Sequence, residues 1–355
     1  MKPGIRNSLT DVAGVLVGHH HVRDDDATLG SGAATGSTVV RIPGGAVASV
    51  DVRGGGPGTR ETDLLDPSNT VQRVNAILLS GGSAYGLAAA DGVMTWLEEQ
   101  GEGIPMDEHG PVVPIVPGAV IFDLPGGDWQ LRPTAEFGYR AAEVAGEQFE
   151  LGSVGAGVGA RAGTLKGGVG TASVVTDEGF TVGALVVANP VGSVFDPNTG
   201  LTWGDPRFFG LQAADPDQLA AANALDPKGT SLNTTIGVVA TDARLSSNGC
   251  KRMAMAAHDG LARAIRPAHS PLDGDTVFAL ATGTFESTTE YPPMPAAFRD
   301  ELPIVESVSA AAAVAFERAI VAAVLAATSV AGIPTYRELL SSVFCGEAAT
   351  RAEEG

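Results

Sequence analysis

The chain has 355 residues, 44% of them apolar and 18% charged, so it buries enough surface to offset its ordering entropy and is not a disordered or low-complexity protein. Its 22 Lys and Arg stand against 41 Asp and Glu, a formal charge of −19, which opposes phosphate backbones and anionic lipid; no nucleic-acid and no membrane partner is expected. The length allows one large domain or two ordinary ones.

Residues 1–15 carry no apolar run of signal-peptide length. The two cysteines, Cys250 and Cys345, are too few for a disulfide framework. Together these features set a cytoplasmic expectation. The 47 glycines and 22 prolines cut the first two thirds into short runs rich in Val, Ile and Thr, which read as strands. The first four lie at 12–17, 36–42, 45–52 and 74–79, and a helix is expected over 84–100, after the Gly81-Gly82-Ser83 turn. Strands follow at 111–116, 172–175 and 182–187. Residues 205–232 turn to Pro, Asp, Ala and Gln and read as an exposed linker. Beyond it come a strand at 235–240, a helix over 248–265 behind Ser246-Ser247, a strand at 276–281 and a helix over 309–329. The last is too apolar for an exposed helix and should lie between layers; Glu317 and Arg318 interrupt it, so no membrane span is indicated. Strands mixed with a few buried helices, without βαβ alternation, favour an α+β layered architecture.

Several motifs offer chemistry. His19-His20-His21 beside Asp24-Asp25-Asp26 suggests a metal, but adjacent residues on a strand point to opposite faces, and no metal site is expected. Glycines 155, 157, 159 and 163 do not follow the dinucleotide spacing G-x-G-x-x-G, so no cofactor is expected there. The stretch Gly81-Gly82-Ser83-Ala84-Tyr85-Gly86 only approximates a hydrolase nucleophile elbow. His258 and His269, near a helix and its exit, read as structural histidines rather than catalytic bases. A nucleophile mechanism without histidine therefore merits attention. Asn233-Thr234-Thr235-Ile236 places a hydroxyl where a linker meets a buried strand and a backbone cut would be tolerated. If Thr234 attacks the Asn233 carbonyl, an N-to-O acyl shift and hydrolysis free a Thr whose α-amine, of reference pKa about 8, serves as general base.

Seven blocks in common order carry a resemblance that runs nearly end to end. They are Asp51-Val52-Arg53-Gly54-Gly55, the run from Leu79 through Tyr85 to Leu87, and Val120-Ile121-Phe122-Asp123; then Gly155-Ala156-Gly157 through Lys166-Gly167-Gly168, and Ala188-Asn189-Pro190-Val191-Gly192; and last Asn233-Thr234 and Asp273-Gly274-Asp275-Thr276. The chain resembles the self-cleaving aminopeptidases of the L-aminopeptidase/D-amidase-esterase type, peptidase family S58. That family includes the β-aminopeptidases and, closest in nucleophile motif, the nylon-oligomer hydrolases.

The resemblance implies one hydrolase domain over 1–355 with an αββα four-layer sandwich, similar to N-terminal-nucleophile hydrolases but differently connected. It implies autocleavage between Asn233 and Thr234 into a 1–233 α subunit and a 234–355 β subunit. Thr234 would be the nucleophile and Asn189 an oxyanion donor. Lys166 would bias the local charge, Asp273 and Asp275 would orient Thr234 and its ammonium group, and Phe122 and Tyr85 would contact substrate. Neither metal nor organic cofactor is implied, and the αβ units would form a homotetramer. Phe122 stands where the nylon hydrolases and β-aminopeptidases carry Tyr, and Thr234 replaces the Ser of the β-aminopeptidases. The expected activity is hydrolysis of linear amides: short peptides, β-amino-acid amides or 6-aminohexanoate oligomers. Two alternatives stay open, an uncleaved binding or assembly protein of the same fold and an ornithine-acetyltransferase-like enzyme.

Overall fold

Alternation of small apolar residues along extended segments gives one hydrogen-bonded sheet of nine strands in this computed structural model, which describes residues 1–108, 110–226 and 233–344. The strands are β1 Leu16–Arg23, β2 Ala34–Val52, β3 Thr59–Arg60, β4 Arg73–Ser80, β5 Gly118–Val120, β6 Gly168–Val175, β7 Thr181–Ala188, β8 Ile236–Thr241 and β9 Thr276–Ala281. They lie in the order β6-β7-β8-β9-β2-β4-β5-β3, with β1 added on β2. The helices are α1 Ala89–Glu99, α2 Ala135–Glu143, α3 Pro216–Asn223, α4 Ser247–Ala264, α5 Leu302–Leu325 and α6 Tyr336–Leu339.

The sheet becomes two layers because β2 serves both. Its residues 34–41 pair with β1 and with β4, its residues 47–52 pair with β9, and the register to β4 shifts between Arg41 and Ala46. Between the layers, Val40, Ile77 and Leu79 from one side meet Leu185, Val238 and Phe278 from the other. On the outer faces, Val39, Ala76 and Leu78 pack under α1 and α2, while Val182, Val239 and Val277 pack under α4 and α5. The result is the expected α+β sandwich, helices outside and two β layers inside. By length and composition α5 is apolar enough to cross a bilayer, yet Ala311, Ala312, Ala315, Ala319 and Ala323 are buried in the core it shares with α4 and the sheet.

Several boundaries differ from expectation for local reasons. The run at 12–17 is mostly turn: Ser8 and Asp11 form a capping box around Leu9–Asp11, and the strand starts only at Leu16. The runs at 36–42 and 45–52 are one strand, because Pro43-Gly44-Gly45 makes the irregularity in β2 and does not end it. Of 111–116 only Val112–Val113 is strand. The helix expected from Ala84 opens as a 3-10 segment, Ser83–Ala88, before α1. The helix at 309–329 starts seven residues earlier than expected, at Leu302 with Pro303 in its first turn, and ends at Leu325. The helix α2 escapes the apolar pattern because its buried face is Gly138, Ala141 and Ala142. Residues 205–226 include α3 and lie against the C-terminal region: Arg318 binds Asp205 at 2.9 Å, and Gln212 N–H donates to Val343 O at 3.0 Å. The rest of the expected linker, 227–232, and Cys345 lie outside the described residues.

Candidate active site

The parallel pairing of β8 with β9, Ile236 opposite Thr276, is preceded by a bridge between Asn233 and Asp273. That register sets Thr234 beside Asp273-Gly274-Asp275, and every residue of the pair of segments is nearly buried. Backbone bonds fix the junction. Asn233 N–H donates to Leu272 O at 3.2 Å, Gly274 N–H to Asn233 O at 3.1 Å, and Thr234 N–H to Asn189 O at 2.9 Å. The Thr234 hydroxyl also donates to Asn233 O. Two glycines are required here. A Cβ on Gly274 would come 2.8 Å from Thr234 Oγ1, and one on Gly54 would fall on the Asp273 carbonyl. The Asp51-Arg53-Gly54 block therefore belongs to the site: Arg53 N–H donates to Asp275 O at 3.0 Å and Gly56 N–H to Asp273 O at 2.8 Å.

The carboxylates hold backbone around Thr234. Asp273 accepts from Val191 N–H at 3.1 Å and Ser270 N–H at 3.0 Å. Burial, then the charge of Asp275, raise its pKa above the usual carboxylate value. Asp275 accepts Thr235 N–H at 2.8 Å on one oxygen. Its other oxygen takes His269 N–H at 3.1 Å and lies 2.8 Å from His269 Nδ1. Behind His269 lies His258, the rings edge-to-face with centroids 4.8 Å apart; its Nε2 lies 3.1 Å from Asp51 O, and burial lowers its pKa to about 4. Asn189 Oδ1 accepts Arg161 N–H at 2.8 Å, and Nδ2 donates to Phe122 O at 3.4 Å. Lys166 is fully buried, its Nζ donating to the carbonyls of Gly157, Ala160 and Gly167 at 2.8–2.9 Å. Burial lowers its pKa to about 7, a shift that the three carbonyls oppose, because a neutral amine has only two hydrogens to donate.

The other side of Thr234 is an open pocket of about 170 Å³. Its walls are residues 56–58, Ser83 and Ala84 after β4, residues 120–122 at the end of β5, and Leu272, with Asn233 and Thr234 at its inner end. The parallel pairing of β4 with β5, Ser80 opposite Val120, brings two of these walls together.

Residues 7–337 match the profile of peptidase family S58. An uncharacterized aminopeptidase of Mycobacterium tuberculosis is 58% identical over 344 residues, covering 95% of this chain and 99% of that protein. The chain belongs to peptidase family S58. A further relative in sequence is the 6-aminohexanoate-oligomer endohydrolase of a Kocuria strain, 32% identical over 292 residues, 79% of this chain and 76% of that one. In fold this S58 chain resembles the L-aminopeptidase D-Ala-esterase/amidase of Ochrobactrum anthropi, an Ntn-hydrolase-fold variant, with TM-score 0.67, 22% identity and coverage of 94% and 90%. The family makes the protein a hydrolase of the aminopeptidase and amide-hydrolase class.

Of the residues singled out in the S58 sequence, the fold brings Thr234, Asn233, Asn189, Asp273 and Asp275 into one hydrogen-bonded cluster. Lys166 reaches it through the 157–167 loop, whose Arg161 N–H holds Asn189. Phe122 lines the pocket, its ring edge-on to Trp129 at 6.0 Å. Tyr85 is exposed outside the pocket walls, with the Arg132 guanidinium 3.9 Å from its ring. The three adjacent histidines go to separate partners: His19 to Thr38 Oγ1, His20 to the Phe137 ring, His21 to Gly155 N–H. His269, which reads as structural in the sequence, sits on Asp275; its position four residues ahead of a D-G-D turn is the available signal. The Gly274 N–H carries no side-chain signature at all.

Proposed function

We propose that the protein is a self-processing amide hydrolase acting through an ester on Thr234. The observation that carries the reading is the junction itself. The Thr234 hydroxyl rests on the carbonyl of the peptide bond it would break, Gly274 N–H donates to that same oxygen at 3.1 Å, and Asn189 O holds the scissile N–H. Attack of Oγ1 on the Asn233 carbonyl carbon gives a tetrahedral oxyanion beside the Gly274 donor. Collapse breaks the C–N bond, leaves Asn233 esterified to Oγ1 and passes the hydroxyl proton to the departing Thr234 nitrogen. Water then releases the Asn233 carboxylate and the free N-terminal Thr234.

In the matured protein the same hydroxyl attacks a linear amide, with the α-amine taking its proton and then assisting water against the acyl ester. Asn189 Nδ2, held near the site by Arg161 N–H on its own Oδ1, is the side-chain donor for the substrate oxyanion. A preorganised donor of this kind contributes about 2.7–4 kcal/mol. Asp275 fixes the Thr235 N–H beside the nucleophile, and Asp273 ties the Val191 and Ser270 backbone around it. One residue supplies nucleophile and base, so the chemistry is complete without metal or organic cofactor. Under this reading the protein is cytoplasmic, and its αβ units assemble as homotetramers.

Intact mass of freshly purified protein under denaturing conditions, with N-terminal sequencing, tests the reading. Two species beginning at Met1 and Thr234 are expected in place of the full chain. A chain that stays whole through prolonged incubation at several pH values and temperatures puts the uncleaved binding protein ahead.

A further inference from the structure

We infer that His269 is a positioning residue for the Thr234 reaction: its ring donates from Nδ1 to Asp275 and locks that carboxylate in the orientation from which it holds the backbone next to the nucleophile. The inference rests on the Thr234 mechanism and adds to it a side chain that the mechanism does not otherwise use. One oxygen of Asp275 carries Thr235 N–H at 2.8 Å. The other takes two donors from a single residue, the His269 backbone N–H at 3.1 Å and Nδ1 at 2.8 Å. With both oxygens engaged and its side chain only 2% exposed, the carboxylate cannot turn about its Cβ–Cγ bond without giving up buried hydrogen bonds.

Two further observations separate this grip from ordinary histidine packing. His269 adopts φ +55°, in the left-handed region that residues with a side chain seldom enter. Such a conformation persists only where the surroundings over-determine it. Here the turn at His269 sets the backbone N–H and the ring of one residue on the same oxygen, and gives the next N–H, that of Ser270, to Asp273 at 3.0 Å. The ring also has a preferred tautomer. Nε2 is buried with no hydrogen-bond partner among the described residues, so a proton there would have no acceptor, whereas on Nδ1 it meets Asp275. His258 meets the ring edge-to-face, and its own Nε2 lies 3.1 Å from Asp51 O, so it does not compete for the carboxylate.

The test replaces His269 with residues that tolerate the same backbone. His269→Gly and His269→Asn both accept a positive φ, and they differ in the donor: an asparagine Nδ2 branches from Cγ as the histidine Nδ1 does, whereas glycine offers nothing. On the full-length protein, cutting at Thr234 is followed by intact mass against time, and turnover of L-alanyl p-nitroanilide is measured per cut chain. His269→Gly should slow cutting by about tenfold or more and lower kcat by a similar factor with KM within about twofold, and His269→Asn should restore both rates to within about threefold of the original. If His269→Gly lowers the urea midpoint out of the working range, His269→Gln takes its place; its amide lies one carbon further out, past the carboxylate, and should be as slow. Unchanged rates in His269→Gly, or His269→Gly and His269→Asn equally slow, overturn the inference while leaving the Thr234 mechanism standing. A rise in KM with kcat unchanged does the same, because it assigns His269 to substrate binding. In protein labelled with ¹⁵N-histidine, the ring signal that His269→Asn removes should report a protonated Nδ1. A ring protonated on Nε2 alone overturns the inference whether or not the chain cuts. An original chain that stays whole and inert overturns the Thr234 reading and this role with it.

Discussion

The two sides of Thr234 are built from opposite materials. On one, Asp273 and Asp275 are almost wholly buried, and each carboxylate accepts at least two backbone N–H groups. On the other, the pocket presents Val120, Ile121 and Phe122 and no charge among the described residues. A buried carboxylate is tolerated only when hydrogen-bonded, and bonds to backbone leave it no rotamer freedom, so the acidic side fixes the backbone next to Thr234, with Thr235 N–H on Asp275. The pocket side has no such fixed bonds to make, and under the proposed mechanism it is where an acyl chain would lie. Damage on the first side should stop chemistry on every substrate, and damage on the second should reorder substrates.

The sharpest way to break that division is at the junction itself. Thr234→Ala should abolish the cut and lower amide hydrolysis by about 10⁴-fold or more, since the nucleophile is removed; full activity or a cut at any nearby bond would sink the assignment. Thr235→Ala should leave the cut intact, because the Thr235 hydroxyl is buried with no hydrogen-bond partner among the described residues. Next in size is Asp275→Asn. Its amide cannot accept from Thr235 on one atom and from His269 on the other, so one buried donor loses its partner at a cost of about 1–3 kcal/mol. Slower cutting, read by mass against time, and a lower urea midpoint are expected together; a stable but uncut Asp275→Asn protein would show that the carboxylate acts on the chemistry directly.

The division was partly legible beforehand. Thr276–Ala281 was readable to the residue from its composition, and α4 nearly so from its Ser246 cap. The acidic side, Asp273-Gly274-Asp275, was legible only through the family resemblance, since by itself a D-G pair reads as a turn before a strand. What stayed hidden depended on register. Nothing local says that Arg53-Gly54 runs against 273–275, that β2 is shared by two layers, or that Val120 and Ser83 are neighbours across β4 and β5. His269 looked like any histidine beyond a helix until the fold put it on Asp275.

Lys166 tests whether the acidic side is also supported from beneath. Its pKa of about 7 in the folded protein lies below its ordinary 10.5. Between those values the unfolded chain binds the proton and the folded one does not, so stability rises with pH across the window and the burial penalty is complete below about 7. Lys166→Met should remove that rise, seen as urea midpoints that no longer climb between about pH 7 and about pH 9.5. It should also slow cutting, because the 157–167 loop that Lys166 ties down presents Arg161 N–H to Asn189. A variant with the unchanged pH slope would assign the slope to another group.

The smallest effect is expected on the pocket side. Phe122 contacts the site through its ring, which packs on Trp129, and through its carbonyl, which takes the Asn189 amide. Phe122→Tyr keeps both and adds a hydroxyl, a change worth about 1 kcal/mol where it finds a partner. Cutting at Thr234 should proceed at its original rate, while relative kcat/KM values among acyl substrates shift by less than about tenfold, since about 1.4 kcal/mol is a factor of ten. If Phe122→Tyr instead changes the rate of cutting as much as the rate of turnover, the ring acts on the nucleophile as well as on the acyl chain. The two sides of Thr234 would then not be separable.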